Sequence, residues 1–206
     1  MYYRIYTNIR DSAWQCLVDH GIDRLPVDIL KIARACDIRV IKNSDVNDLL
    51  PGEDAKSYYD NKRWIIIYND ANDTAASRFA IAHELGHIFL GHALTYAKYE
   101  NVREFGKKPK AEQQADMFAM RLLCPACIIM KFNLNSPDEI SRACRVPLPV
   151  AKIRSERMAA LCKKNKFFTN SLEARVYDNF KEYPSHSTDC SNDSQDQKAP
   201  FVSAQA

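Results

Sequence analysis

The segment His83-Glu84-Leu85-Gly86-His87 sits inside a strongly apolar stretch of the chain, between Phe79-Ala-Ile-Ala82 and Ile88-Phe-Leu90. Asn72, Asp73 and Thr74 offer N-caps ahead of it and Gly91 a stop behind it, so one helix is predicted through roughly Leu90. The apolar flanks require this helix to be buried. Burial then demands a reason for two imidazoles and a carboxylate in its middle, since withdrawing polar groups from water without partners costs roughly 2–7 kcal/mol each. Helical geometry supplies one: at about 100° per residue, His83 and His87 fall about 40° apart on one face and can reach a single metal ion. Glu84 lies beside the pair, close enough to hold a water without itself being a ligand. With five histidines in 206 residues, composition alone accounts poorly for the pattern.

A catalytic zinc takes three protein ligands and keeps a fourth position open. The chain contains two candidates for the third. A second helix is predicted over 111–123, stopped before Pro125, with Glu112 and Asp116 four residues apart on one face and Phe118, Ala119, Leu122 and Leu123 as its burying surface. Packed on the first helix, Glu112 can coordinate the metal while Asp116 accepts the N–H of a ligating histidine. His92 is the rival. The metzincin pattern would place Gly at 90 and His at 93, whereas the chain has Leu90, Gly91 and His92, which makes His92 a helix-end residue or one standing behind the ligands.

Around these helices the order is helices, strands, helices. Residues 12–35 carry two helical patterns separated by Gly21 and Leu25-Pro26. Ile38-Arg-Val-Ile41 reads as a strand, and Lys56 to Tyr59 with Trp64-Ile-Ile-Ile-Tyr68 reads as a hairpin whose second strand is buried, giving a small, mostly antiparallel sheet. Further helices are predicted from Pro137 to about Cys144, over 150–163 after Pro147 and Pro149, and over 172–183. The chain divides into a core at 1–125 that includes the N-terminal helices, a helical region at 126–183 packed on it, and a Ser-, Asp- and Gln-rich tail at 184–206 expected to be disordered.

Other features are weaker. Cys124-Pro-Ala-Cys127 lacks the second pair that would complete four zinc ligands, so buried thiols are the better reading. Residues 138–161 have the outline of a helix-turn-helix, with Arg142, Arg145, Lys152, Arg154 and Arg157 available to phosphates, but a helical hairpin with a solvated basic face is commoner. The net charge of +3, from 29 Lys plus Arg against 26 Asp plus Glu, is too small to argue for nucleic acid. No apolar run approaches a membrane span, and seven cysteines scattered through the chain read as reduced thiols, so a cytoplasmic protein with no membrane association is expected.

Taken together, Leu25-Pro-Val27, Arg78-Phe-Ala-Ile-Ala-His-Glu-Leu-Gly-His87 and Glu112-Gln-Gln-Ala-Asp-Met-Phe-Ala-Met-Arg-Leu-Leu-Cys-Pro125 resemble the ImmA/IrrE family of metallo-endopeptidases, with a fainter echo from Val146 to Arg157. The chain departs from that pattern at Gln114, Cys124 and Pro147. The resemblance implies an α+β, gluzincin-like (zincin-like) core binding one zinc ion through His83, His87 and Glu112, with Glu84 as catalytic base. It also implies a protein substrate, a helix-turn-helix repressor of a mobile element or stress response, and makes direct nucleic-acid binding unexpected. A non-catalytic, metal-dependent module that sequesters a regulator partner is the alternative.

Overall fold

The computed structural model describes residues 9–92, 109–164, 166–168 and 171–180. Two short helices, α1 (Ile9–Asp19) and α2 (Ile29–Ala35), lead into strand β1 (Arg39–Lys42) and a single turn, α3 (Asn43–Val46). Strands β2 (Ala55–Tyr59) and β3 (Trp64–Tyr68) follow, then the long helices α4 (Thr74–Phe89) and α5 (Lys110–Leu123). The chain continues as α6 (Ala126–Lys131), α7 (Pro137–Cys144), α8 (Leu148–Lys163) and α9 (Ser171–Asn179). The tail at 184–206 lies outside the described residues, as do residues 181–183 of the last predicted helix.

The sheet has the order β1-β3-β2. Its centre is β3, whose apolar run buries four of five positions, the pattern of a strand covered on both faces. The β2–β3 hairpin is antiparallel with Tyr59 opposite Trp64, and its turn is held by Asp60, which accepts from the backbone N–H groups of Lys62 and Arg63 at 3.0 and 2.8 Å. The β1–β3 pair, by contrast, is parallel, from Arg39 opposite Ile65 to Lys42 opposite Tyr68. The sheet is thus mixed rather than mostly antiparallel. Residue pattern marks a strand but not its direction, and these two strands meet only after the chain has turned through α3 and β2.

Helix α4 packs on β2 and β3 on one side and on α5 on another, and α5 packs in turn on α1. Asp73 caps α4 by accepting from the Ala76 N–H at 2.8 Å, and Gly91 just beyond it has φ +75°, the left-handed conformation that costs glycine nothing. One continuous apolar core runs from Leu17 and Ile32 through Ile66, Leu85, Phe118 and Leu122 to Ile128 and Phe180. At Gly86 the two central helices nearly touch: an added Cβ would stand 3.1 Å from the Ala115 Cα, 3.2 Å from its carbonyl oxygen and 3.2 Å from the Phe118 Cβ. Glycine here sets how closely α4 approaches α5, and therefore where α5 presents Glu112 and Asp116.

Two boundaries differ from expectation. Helix α8 begins at Leu148, so Pro149 lies in its first turn, where a missing N–H breaks no hydrogen bond. After Pro125 the chain forms the six-residue α6, a length at which apolar periodicity gives little signal. Helices α7 and α8 pack together, and α7 starts with a capping box in which Ser136 and Glu139 each satisfy the other's backbone N–H. Arg154 is not available to phosphates as its sequence position suggested. It is 4% exposed, with Nε donating to the Cys124 carbonyl at 2.8 Å, because the end of α5 leaves that carbonyl without a helical partner.

Candidate metal centre

Helices α4 and α5 bring four side chains to one end of a cavity of about 410 Å³, which His83, Glu84, Glu112 and Asp116 line together with Phe79 and Ala80 of α4 and Asp54 and Ala55 at the start of β2. His83 Nε2 and His87 Nε2 lie 3.0 Å apart. The Glu112 carboxylate reaches both, with one oxygen 3.3 Å from His83 Nε2 and the other 3.2 Å from His87 Nε2. Donor atoms of His83, Glu84 and His87 all lie within 4.8 Å of one another, close enough to hold a metal ion.

The outer nitrogens explain why both Nε2 atoms turn inward. His83 Nδ1 is 2.9 Å from Asp116 Oδ1, and a carboxylate there accepts the Nδ1–H, so neutral His83 carries its lone pair on Nε2. His87 is oriented by a longer chain. Gln114 Oε1 lies 3.0 Å from His92 Nε2, and an amide oxygen can only accept, which places the His92 proton on Nε2. His92 Nδ1, 3.2 Å from His87 Nδ1, then accepts from His87 and leaves the His87 Nε2 lone pair facing His83. Burial, with the nearby His87 adding to it, pushes the His92 pKa down and keeps that ring neutral, against a smaller pull from Gln114 and Glu112.

Two imidazole lone pairs and a carboxylate directed at one point repel one another unless something positive lies among them. Around His83 burial disfavours charge, but the hydrogen bond with Glu112 and the negative charges of Glu84, Asp116 and Glu112 outweigh it and raise the pKa. The site draws positive charge. Donors bound tetrahedrally at about 2.0–2.1 Å stand about 3.3 Å from each other, and the three separations in this site run from 3.0 to 3.3 Å. The residues present therefore fit a small divalent cation.

Glu84 stands one residue along α4 from His83, and its Oε2 accepts from the Ser57 hydroxyl of β2 at 2.6 Å. Three residues of this architecture escaped the sequence reading. Gly86 left a legible signal, since an isolated glycine costs a helix about 1 kcal/mol relative to alanine and so calls for a compensating reason. Ser57 as the partner of Glu84, and Gln114 behind His92, left none: each acts across elements 27 and 22 residues apart in the chain. The expected set His83, Glu84, His87, Glu112 and Asp116 is brought together, and His92 stands behind His87 rather than among the converging donors.

A helical α+β chain with an H-E-x-x-H helix against a short mixed sheet, and a carboxylate delivered by the next helix, defines a metallopeptidase-type architecture. Residues 33–156, more than half of the chain, match Peptidase_M78, the IrrE N-terminal-like domain, and the chain belongs to that family. A comparison with curated proteins finds no match.

Proposed function

We propose that the chain is a zinc-dependent endopeptidase in which His83, His87 and Glu112 hold the metal and Glu84 is the catalytic base. The carrying observation is the convergence of two Nε2 atoms and the Glu112 carboxylate within 3.0–3.3 Å. A bound zinc supplies a positive centre that lowers the pKa of water to about 7 and polarises a carbonyl oxygen. The chain's own groups do the rest. Glu84, its Oε2 held in place by Ser57, takes the proton of the attacking water and returns it to the leaving amine nitrogen. Asp116 and the Gln114–His92 pair hold the two imidazoles in the tautomers that the metal requires.

Among the described residues strand β2 is the edge of the sheet beside Glu84, so its outer backbone groups are placed to pair with an extended peptide lying across the cavity. We propose as its substrate a helix-turn-helix repressor, the class the sequence resemblance implies, cleaved in the cytoplasm to release the genes it silences. Elemental analysis of the purified chain, beside His83→Ala and Glu112→Ala, tests the metal site. About one zinc per chain, lost in both variants, is the expected result. Zinc lost with His83→Ala alone would move the third ligand elsewhere. Incubation with a candidate helix-turn-helix repressor tests the activity: cleavage by the wild type, and none by Glu84→Gln with its zinc retained, is expected, while de-repression undiminished by Glu84→Gln would favour a sequestering module.

A further inference from the structure

A second cavity, of about 600 Å³, opens where α1, α5, α6, α8 and α9 meet, and none of the metal-centre residues lines it. Its volume falls within the range of small-molecule sites, about 300–1,000 Å³. Among the described residues, five cationic side chains, Arg10, Arg121, Arg154, Arg157 and Lys166, line it against one carboxylate, Glu173. Two of the five are already engaged. Arg154 gives its Nε to the Cys124 carbonyl, and Arg10 pairs with Asp11 at 3.0 Å while lying over the Trp14 ring at 5.4 Å.

Arg121 is different. It is half-buried, and no hydrogen bond or ion pair reaches it among the described residues. Burial and the like charges of Arg154, Arg157 and Arg10 push its pKa below the ordinary arginine range, and the attraction of Asp11 only partly offsets them. A guanidinium kept partly from water among three others is a costly arrangement for a mere solvated surface, and an anion in the cavity relieves it. Much of the remaining lining is apolar, and Met117 and Ile153 within it stand 39% and 55% exposed. Planar forks with apolar walls between them suit a ligand that carries both a dianionic group and a flat or apolar body.

We infer that this cavity binds a small organic phosphate of nucleoside monophosphate size, its phosphate on Arg121 and Arg157 and its body against Met117 and Ile153. The site is independent of the peptidase reading, because it shares no residue with the metal centre.

Titration calorimetry of the full chain with adenosine 5′-monophosphate, inorganic phosphate and adenosine tests it. Saturable binding of the nucleotide is expected, with phosphate weaker and adenosine not detectable. Arg121→Gln and Arg157→Gln should each weaken the nucleotide about 10- to 100-fold, the value of one charge-assisted hydrogen bond. Arg157 is exposed, so its variant keeps the result interpretable if Arg121→Gln unfolds. Glu84→Gln should bind as the wild type does. No saturable binding of nucleotide or phosphate overturns the site, as does binding that Arg157→Gln leaves unchanged. Equal affinity for phosphate and nucleotide overturns the organic part of the ligand. A short DNA duplex that binds more tightly than the nucleotide and is weakened by the same substitutions overturns it in favour of a nucleic-acid backbone.

Discussion

Two clusters of metal-ligand residue types lie at opposite ends of α5. The histidine cluster at its first turns and the thiol cluster at its end, Cys124, Cys127 and Cys144 around Arg154, would look alike in a census of residue types. They differ in where their polar atoms go. The histidines direct theirs at one point beside a cavity, with Glu112 about one-third exposed there. The thiols are fully buried, and each goes into the packing: Cys144 lies in hydrogen-bond contact with Cys124, and burial pushes the Cys127 thiol up to about 12. A thiol held that high is a poor nucleophile at neutral pH. Chemistry follows from donors that are both convergent and reachable, and the second cluster is neither.

The strongest challenge to this contrast is Glu84→Gln. It should cut peptide hydrolysis by at least roughly 10²–10⁴-fold and leave zinc content unchanged, measured by elemental analysis beside a cleavage assay. Equal turnover would remove Glu84 from the chemistry. Next in size is Gly86→Ala. A Cβ 3.1 Å from the Ala115 backbone pushes α4 and α5 apart, at a cost of about 1–3 kcal/mol in stability, and it moves Glu112 away from the histidines. Denaturant melts and zinc affinity should therefore fall together, whereas a loss of stability with unchanged affinity would show that this contact does not position the ligands.

Asp116→Asn and Gln114→Leu probe the supports behind the histidines. Each should weaken zinc binding about 10- to 100-fold, read by competition with a chelator, and Gln114→Glu should restore what Gln114→Leu loses, since a carboxylate accepts from His92 as the amide does. Cys124→Ser with Cys127→Ser makes the opposite prediction: stability falls and zinc content does not. Zinc lost from that pair would break the comparison.

The smallest expected effect concerns pH. The folded pKa of His83 is raised, so in the metal-free protein its contribution to stability is fully present below the unfolded value of about 6.5 and is lost as pH rises through the folded one. The Tm difference between chelator-treated wild type and His83→Gln should shrink across that window as pH rises. With zinc present the proton competes for the same nitrogen, so release on acidification should begin at a higher pH than an ordinary histidine would give.

The site was legible to the extent that it is local. His83, Glu84 and His87 are one helical turn, and Glu112 and Asp116 are another, so i, i+1 and i+4 spacing placed each set on its own face before any fold was known. Reading α4 and α5 as buried helices needed only their apolar runs and caps. The parallel β1–β3 pairing was not readable, because strand direction leaves no trace in residue type. Nor was the burial of Arg154, whose partner is a carbonyl 30 residues away.

The sequence by itself determined which residues are able to meet a metal: the ligand types, their helical spacing and the apolar flanks that force them inward. Only the tertiary structure decided that they do meet one another. That outcome rests on the close approach of two helices at Gly86 and Ala115, on the Ser57 hydroxyl of an edge strand, and on a proton chain from Gln114 through His92 to His87. Each of these is a distance between segments far apart in the chain, and such distances are set by packing the whole core.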